Sequence, residues 1–259
     1  MNGIEEFESI ELRNKRELLP PFDAAAKETE EIYKLYDVAP KEELDSIDVN
    51  PDLNILKKPK VLAKHKDRYQ IYVLKRIVNL VREKGIDSEA FREKLPVLLY
   101  LNYLLKLHKM PSTISRSEDK ISETYGIPLN ITTYLLRTFT DISLGHHKDV
   151  KFTKSKRNSD KLVCYILVLM LLCSEDYQLD VKEVQNALKI EHKKLVIYLK
   201  EIGCRDVVEL SRKKKKAEDA EEEEEKEDPK KEEDKMGART SMVVLRAPLK
   251  FAKLQYRSK

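Results

Sequence analysis

Apolar residues recur at helical spacing from Asp67 onward and predict two helices in the first half of the chain. The first apolar run ends at Gly85, and Asp87 is placed to cap the second helix. Pro96 predicts a break or kink within this second helix. Pro111 ends the second run, and a polar loop follows it.

A third, shorter apolar run predicts a helix that begins at Asn130 or Thr132 and continues to Thr138. The stretch from Asp149 to Lys161 is polar and basic, which is typical of a loop. The pattern up to this point therefore indicates three helices followed by a basic loop.

The apolar pattern resumes with a helix that Ser159 is placed to cap. Every residue from Leu162 to Leu172 is apolar, so this helix is expected at the centre of the fold. A short extended piece follows at Tyr177, and Asp180 is placed to cap a helix with one apolar face. A turn at Ile190-Glu191 leads into a last amphipathic helix.

Gly203 is placed to end that last helix as a C-cap glycine does. Residues 207–210 and 240–249 are strand-like, and a highly charged tract separates them. Two strands divided in this way predict a β-hairpin with a long insert at its tip. Such an insert is tolerable because each doubling of loop length adds only about 0.6 kcal/mol of closure cost.

Residues 1–61 differ from the rest because their apolar residues are sparse. Five prolines punctuate them: Pro20, Pro21, Pro40, Pro51 and Pro59. Short helical turns fit the pattern at 28–35 and 41–47, but segments of this kind often lie along a partner rather than pack a core. We therefore predict an extended leader here.

These patterns predict a mainly α protein with small β-hairpins, an α+β fold. The second unit has the order helix, extended piece, helix, turn, helix and hairpin, which is the order of a winged helix, and the first unit shares its three-helix rhythm. We therefore expect two tandem winged-helix domains preceded by an extended linker. The predicted divisions are a leader over 1–61, a first domain over 62–158, a second domain over 159–251 with an acidic insert at about 212–238 in its wing, and a basic tail over 252–259.

The charge distribution suggests a class of partner. Charged residues make up 37% of the chain, against roughly 25% in ordinary globular proteins. The formal net charge is +4, but residues 217–235 carry 12 acidic and 4 basic side chains, which leaves +12 for the remainder. A basic body with an acidic insert suits a polyanionic partner, although solubility alone would explain the same excess.

Several common functional classes lack their signatures. Cys164, Cys173 and Cys204 form neither a CxxC pair nor a disulfide framework, which fits a reducing compartment. No two of the 6 glycines are close enough for a P-loop, a dinucleotide fingerprint or a GxSxG elbow in their usual form. The adjacent His146 and His147 lack the spacing of a helical metal site. We therefore expect no catalytic residues, no cofactor and no metal.

The sequence also argues against a membrane partner. Its longest apolar run, Leu162 to Cys173, has 12 residues, whereas a bilayer span needs about 20. The acidic N-terminus lacks the apolar stretch of a signal peptide.

Positive side chains concentrate at three places in the second half of the chain. The last predicted helix carries His192, Lys193, Lys194 and Lys200. The adjoining base of the wing carries Arg212, Lys213, Lys214, Lys215 and Lys216. The basic loop carries Lys148, Lys151, Lys154, Lys156 and Arg157. Clustered cations bind phosphates because each neutralised phosphate releases a counterion, so we predict a DNA-binding surface made of these residues.

The lysines are expected to hold the DNA backbone and to read little sequence, because arginine and asparagine dominate bidentate base recognition and this helix has neither. The competing explanation is the solvated face of an ordinary helix, with the basic loop a flexible connector. The acidic tract has two interpretations as well. It is either a solubilising spacer or a competitor of DNA for the neighbouring lysines.

Three groups of residues resemble a known family. They are LPPFDAAAKETEEIYKLYDVAP, then TTYLLRTFTDIS with SDKLVCYILVLMLLCSEDYQLDVKEVQNALKI, and finally LRAPLKF. In this order, from about Leu19 to Phe251, they resemble the C-terminal region of the "forty-nine" subunit family of RNA polymerase I. The resemblance implies a TFIIE-like pair of winged helices and DNA binding near the polymerase cleft. It also implies a non-catalytic role in the initiation and elongation of rRNA transcription, in the nucleus and nucleolus.

The partners implied by the resemblance are double-stranded DNA and the RNA polymerase I core. Family members usually begin with a β-rich domain that dimerises with a TFIIF-like partner subunit. Only a short segment precedes Pro20 in this chain, so that partner is left open. The alternative function is a protein–protein adaptor in a transcription or ribosome-assembly complex. An RNA-bound helical scaffold is a third hypothesis.

Overall fold

A computed structural model of the chain describes residues 15–144, 150–206 and 242–249. These residues are mainly helical, with two three-stranded antiparallel sheets. The prediction of an α+β fold dominated by helices is therefore confirmed.

Residues 15–18 are helical, and five short helices follow them: α1 (Thr29–Ile32), α2 (Leu35–Val38), α3 (Lys41–Asp45), α4 (Asn50–Leu56) and α5 (Pro59–Lys64). A first unit follows with α6 (Ile71–Lys84), α7 (Glu89–Lys109), β1 (Thr113–Ile114), α8 (Glu118–Tyr125), α9 (Leu129–Phe139), β2 (Asp141–Leu144) and β3 (Val150–Thr153). The second unit contains α10 (Lys156–Leu172), β4 (Gln178–Asp180), α11 (Val181–Leu188), α12 (His192–Glu201), β5 (Arg205–Asp206) and β6 (Met242–Val244). Single 3-10 turns lie at Lys66–Arg68 and Glu175–Tyr177.

The prediction of an extended leader is wrong for the described residues. Each of the first three short helices buries one apolar residue in the common core, and these are Ile32, Val38 and Leu44. Leu19 and Tyr33 are each only 1% exposed. Few apolar residues are needed to attach this segment to the core, because a helix of one turn has only one position that faces the core.

Buried polar contacts fix this leader to the rest of the molecule. The carboxylate of Asp52 in α4 is fully buried and accepts hydrogen bonds from Arg68 Nε at 2.8 Å and from the Tyr69 hydroxyl at 2.5 Å. The Tyr33 hydroxyl donates to the carbonyl of Ile202, just after α12, at 3.1 Å. The leader thus bridges the entrance of the first unit and the end of the second.

Both units have the same strand topology. In the first sheet, β3 lies between β1 and β2, and in the second, β6 lies between β4 and β5. Leu144 is opposite Val150 in the β2–β3 pair, and Leu179 is opposite Val243 in the β4–β6 pair. Two helices precede the first strand in the first unit, α6 and α7, and one precedes it in the second, α10. In each unit two helices separate the first strand from the second.

The β2–β3 hairpin corrects the prediction of a basic loop at 149–161. In β3 the Phe152 side chain is buried while its neighbours Val150 and Lys151 are exposed. A strand that buries a single apolar residue has no visible period of two, so its charged residues make it resemble a loop. The second predicted hairpin is present as the antiparallel pair β5–β6, with β6 inside the predicted 240–249 and β5 just before the predicted 207–210. Residues 207–241, with the predicted first strand and the insert, lie outside the described part of the chain.

Two predicted helix caps are displaced and a third is confirmed. The capping side chain of α10 is Ser155 rather than Ser159, so this helix begins four residues earlier than expected. Ser88 caps α7 in place of Asp87. Asp180 caps α11 as predicted, accepting hydrogen bonds from two N–H groups of the first turn.

Helix α7 continues through Pro96, so the break expected there does not occur. The reason is burial, since every residue from Val97 to Leu107 is buried and holds the second half of the helix in place. The predicted helix end at Gly203 is confirmed, and this glycine has a φ of +88°. A side chain there would be strained and would meet Leu249.

A single core joins the two units. The apolar helix α10 is central, as predicted, with Leu162 to Cys164 and Ile166 to Leu171 buried, and it packs against α7 of the first unit. His108 of α7 contributes a polar contact, since its Nε2 lies 3.0 Å from the carbonyl of Leu188 in α11. Burial lowers the pKa of His108, so we assign a neutral ring that donates its Nε2 proton.

Candidate nucleic-acid interface

Helix α12 exposes its cations because its apolar side chains are turned inward. Its core-facing residues Leu195, Tyr198 and Leu199 are buried. The exposed cations are Lys193, Lys194 and Lys200, while His192 is partly buried. Lys193 and Lys200 are two helical turns apart and therefore lie on one face. Ile197, 57% exposed, lies between them on that face.

Lys194 lies where α12 meets α10. Its Nζ is 3.8 Å from a carboxylate oxygen of Asp160 and 5.4 Å from the ring centroid of Tyr198. The Tyr198 hydroxyl donates a hydrogen bond to the same carboxylate. Asp160 is four residues from the exposed Lys156, so these two residues share a face of α10. The first turn of α10 therefore adjoins α12.

Two lysines that the sequence analysis did not single out lie in the same region. Lys109 ends α7, and Lys189 directly follows α11. The pKa of Lys109 is lowered first by burial and then by the positive charge of Lys189. Lys189 has a φ of 54°, a left-handed conformation that usually takes glycine or asparagine.

The surroundings of His108 show that these cations converge. Its pKa is lowered chiefly by burial, is raised by the hydrogen bond to Leu188, and is lowered further by the charges of Lys154, Lys109 and Lys194. The charges of lysines from both units therefore act on one ring. We call Lys109, Lys156, Lys189 and Lys194 the junction lysines.

The predicted basic loop divides into residues with different surroundings. Lys151 is exposed on β3, and Lys156 is exposed at the start of α10. Arg157 is exposed as well, but its guanidinium pairs with Glu17 of the leader. Lys148 and the predicted wing residues Arg212, Lys213, Lys214, Lys215 and Lys216 lie outside the described residues.

Lys154 occupies a buried position instead of a surface one. It is 9% exposed, and its Nζ donates to the carbonyls of Leu107 at 2.8 Å, His108 at 3.1 Å and Met110 at 2.6 Å. Burial lowers its pKa to about 8. Its side chain closes the end of α7, and it is not available on the surface that Lys156 and Lys194 share.

Replacing Lys154 by methionine is expected to destabilise the fold by about 2 kcal/mol, because the carbonyls at the end of α7 lose their donor. Urea unfolding measures this loss. Lys151→Met on the neighbouring exposed position is the matched control and is expected to change stability by less than about 0.5 kcal/mol. Equal effects of the two changes would contradict the capping role.

Residues 15–144, 150–206 and 242–249 contain no group of three or more histidine, cysteine, aspartate or glutamate side chains that could hold a metal ion. None of the helices in these ranges combines the length and apolar character needed to cross a bilayer.

The described fold and surface define a mainly helical protein with two units of the same strand topology and lysines concentrated where those units meet. The chain belongs to the family of A49-like RNA polymerase I associated factors, whose model matches residues 5–252. This match confirms the resemblance drawn from the sequence.

Two curated relatives are similar over most of the chain. The DNA-directed RNA polymerase I subunit rpa49 of Schizosaccharomyces pombe is 26% identical over 187 residues, which are 72% of this chain and 42% of that protein. The subunit RPA49 of Saccharomyces cerevisiae is 26% identical over 183 residues, which are 69% of this chain and 42% of that protein. The chain therefore matches less than half the length of either relative.

Proposed function

We propose that this chain is a non-catalytic subunit of DNA-directed RNA polymerase I that binds duplex DNA and supports the initiation and elongation of rRNA transcription. The observation that carries the DNA-binding part is the convergence of the junction lysines from both units beside α12. The names of the two relatives support the polymerase part.

Each unit is proposed to be a winged helix, and the two to form a tandem pair. Their boundary lies between β3 and α10 and not at 158/159 as predicted, because α10 begins at Lys156. The support is the shared element order and the central position of the last strand in each sheet. In this interpretation α9 and α12 are the third helices, and the β2–β3 and β5–β6 hairpins are the wings. A third helix of this kind can lie in the major groove of DNA.

The two third helices differ in charge, which assigns most of the DNA binding to the second unit. Helix α9 carries a single cation, Arg137. Its Asn130 amide donates a hydrogen bond to Ser46 of the leader at 2.6 Å, so the leader covers part of this helix. Helix α12 carries Lys193, Lys194 and Lys200 and has the remaining junction lysines beside it.

The lysines are proposed to hold backbone phosphates with little sequence preference, because an ammonium group is a point charge that does not recognise a base edge. Bound phosphates would also relieve the repulsion between Lys109 and Lys189. Lys151 and, beyond the described residues, Arg212, Lys213, Lys214, Lys215 and Lys216 are proposed to extend this surface.

Affinity for duplex DNA measured against salt concentration tests the proposal. If the junction lysines together with Lys193 and Lys200 each neutralise one phosphate, log affinity should fall against log salt with a slope of about −5. The full chain and a duplex of arbitrary sequence are sufficient for this measurement. An affinity that does not change with salt would contradict phosphate binding by these residues.

The proposed setting is the nucleus and nucleolus, with the RNA polymerase I core as the main partner. The leader, folded onto both units, would then belong to the module and present it as one body. Co-purification of the chain with the polymerase I core and with a TFIIF-like partner subunit tests both partners.

The acidic tract is proposed to compete with DNA for the neighbouring lysines. Deleting residues 217–235 removes a net charge of −8, and it is expected to raise affinity for duplex DNA at fixed salt by about threefold to tenfold. A gel shift at constant ionic strength is the measurement. Unchanged affinity would leave the tract as a solubilising spacer.

A protein–protein adaptor is the alternative function, and one observation favours it. The β2–β3 hairpin exposes Ile142, Leu144 and Val150, at 52%, 75% and 37%, on one face. Exposed apolar residues in a group are typical of protein contacts. The test is a variant in which Lys193, Lys194 and Lys213 to Lys216 are changed to glutamate. The adaptor function would be favoured if this variant still binds DNA, or if the unaltered chain does not bind DNA at all.

A further inference from the structure

Helix α6 has a buried apolar face and, beside it, three apolar residues that the core covers only in part. Its core face buries Tyr72, Val73, Ile77 and Leu80. Ile71, Leu74 and Val78 lie outside that face at helical spacing. Leu74 and Val78 are half-buried, and Leu74 also packs against the core. Ile71 is 76% exposed, the highest value among the large apolar residues that the structure exposes in its described ranges. A soluble helix usually places charged residues on its second face.

The side of α6 that carries these three residues borders an open groove of about 450 Å³ that reaches Glu183 at the start of α11. Ile71, Leu74 and Val78 line the groove together with Lys75, Arg76 and Arg82. Lys75 Nζ lies 3.6 Å and an Arg76 guanidinium nitrogen 3.2 Å from the Glu183 carboxylate oxygens. Three cations and one carboxylate leave the lining with a net charge of +2.

We propose that this groove binds an acidic amphipathic helix of a partner protein. The apolar side of such a helix would cover Ile71, Leu74 and Val78, and its carboxylates would pair with the cations of the lining. Arg76 is already held in position, since its guanidinium lies 5.1 Å from the ring centroid of Tyr72. The groove follows α6 from Ile71 to Arg82, about 16 Å at the helical rise, which matches three turns of a bound helix.

A protein segment fits this groove better than a nucleic acid does. Phosphates would pair with Lys75 and Arg82 but would leave Ile71 in water, and apolar exposure of that kind is relieved only by an apolar surface. A purely apolar helix would fit poorly as well, because the cations of the lining would lose water without gaining a partner. The combination of both features selects a helix that is apolar on one side and acidic on the other.

This inference does not depend on DNA binding by the junction lysines. It concerns the surface of α6 and can be tested on the full chain without DNA. The probe is a fluorescein-labelled amphipathic peptide of about 15 residues, with leucines along one face and glutamates along the other. A second peptide carries lysines in place of the glutamates, and a third carries serines in place of the leucines.

Fluorescence polarisation at fixed ionic strength should show saturable binding of the first peptide only. Ile71→Glu is expected to weaken that binding at least about tenfold, and Arg82→Glu about fivefold. Ile142→Glu and Arg137→Glu, which make the same kinds of change at exposed residues outside the groove, should alter it less than about twofold. Since Ile71 and Arg82 are exposed, thermal melting should show that both groove variants remain folded.

Three outcomes would overturn the proposal. The first is equal binding of the glutamate and lysine peptides, and the second is equal effects of Ile71→Glu and Ile142→Glu. The third is a combination of two results: the unaltered chain binds none of the peptides, and Ile71→Glu lowers the affinity for duplex DNA. That combination would assign the groove to nucleic acid. If only the variants of the junction lysines lose DNA binding, that result concerns the proposed DNA-binding function and leaves the proposed peptide groove on α6 unaffected.

Discussion

A variant in which Lys189, Lys193 and Lys194 are all glutamate should bind duplex DNA about 100-fold more weakly at moderate salt. These lysines lie at the end of α11 and on the exposed side of α12, beside the end of α7. Reversing them removes three phosphate contacts and adds repulsion. The slope of log affinity against log salt should become shallower by about 2.7.

The matched control reverses Lys27, Lys34 and Lys41, which are exposed in the leader. This control alters the net charge of the chain by the same amount, so it reports what overall charge contributes. It is expected to weaken binding by less than about threefold. Equal losses in the two variants would mean that DNA responds to total charge, and the site assignment would fail.

Asp52→Ala should destabilise the protein by about 3 kcal/mol, the second large effect expected. The Asp52 carboxylate is fully buried, and it receives two hydrogen bonds from Arg68 and one from Tyr69. Removing it leaves a partly buried guanidinium and a buried hydroxyl without their acceptor. Urea unfolding should show a lower midpoint and, because the leader belongs to the core, a single transition.

Asp87→Ala is the control for this change. Asp87 also pairs with a cation, since its carboxylate lies 2.8 Å from Lys57 Nζ, but its side chain is 72% exposed. Water and salt screen an exposed pair, so the unfolding midpoint should stay close to that of the unaltered chain. A leader that were merely attached would instead unfold in a separate early step in the Asp52 variant, with the main transition unchanged.

The regular helices were predictable from the sequence because helical periodicity is local. The third helix of the first unit was expected from Asn130 or Thr132 to Thr138, and the structure has it at Leu129–Phe139. The Asp180 cap and the Gly203 terminus were predictable for the same reason, since each depends on the backbone within a few residues.

The displaced caps show the limit of local reasoning. Ser155 and Ser159 are both competent caps four residues apart, and the structure uses Ser155. The first turn of α10 then places Asp160 where it contacts Tyr198 and Lys194 of α12. The earlier start of α10 thus goes together with contacts to α12. The residues next to Ser155 in the sequence carry no information about those contacts.

Some residues of the candidate site could be identified from the sequence, and others could not. The exposed lysines of α12 could be identified from the sequence, because their helix has a clear apolar face and the remaining positions must face water. Lys109 and Lys189 could not, because each is an isolated cation at a helix end until the packing of α7, α11 and α12 brings them together. Lys154 was counted with the surface cations since nothing in its neighbourhood shows that it reaches the end of α7.

By itself, the sequence determined the helix-rich class, the central apolar helix, the basic face of α12 and the family, since each follows from residue type and spacing along the chain. Only the tertiary structure decided that the leader belongs to the core, that a hairpin replaces the expected basic loop, and which lysines share a surface. The physical reason is that burial and charge proximity depend on residues distant in sequence, such as Tyr33 and Ile202 or Lys109 and Lys189.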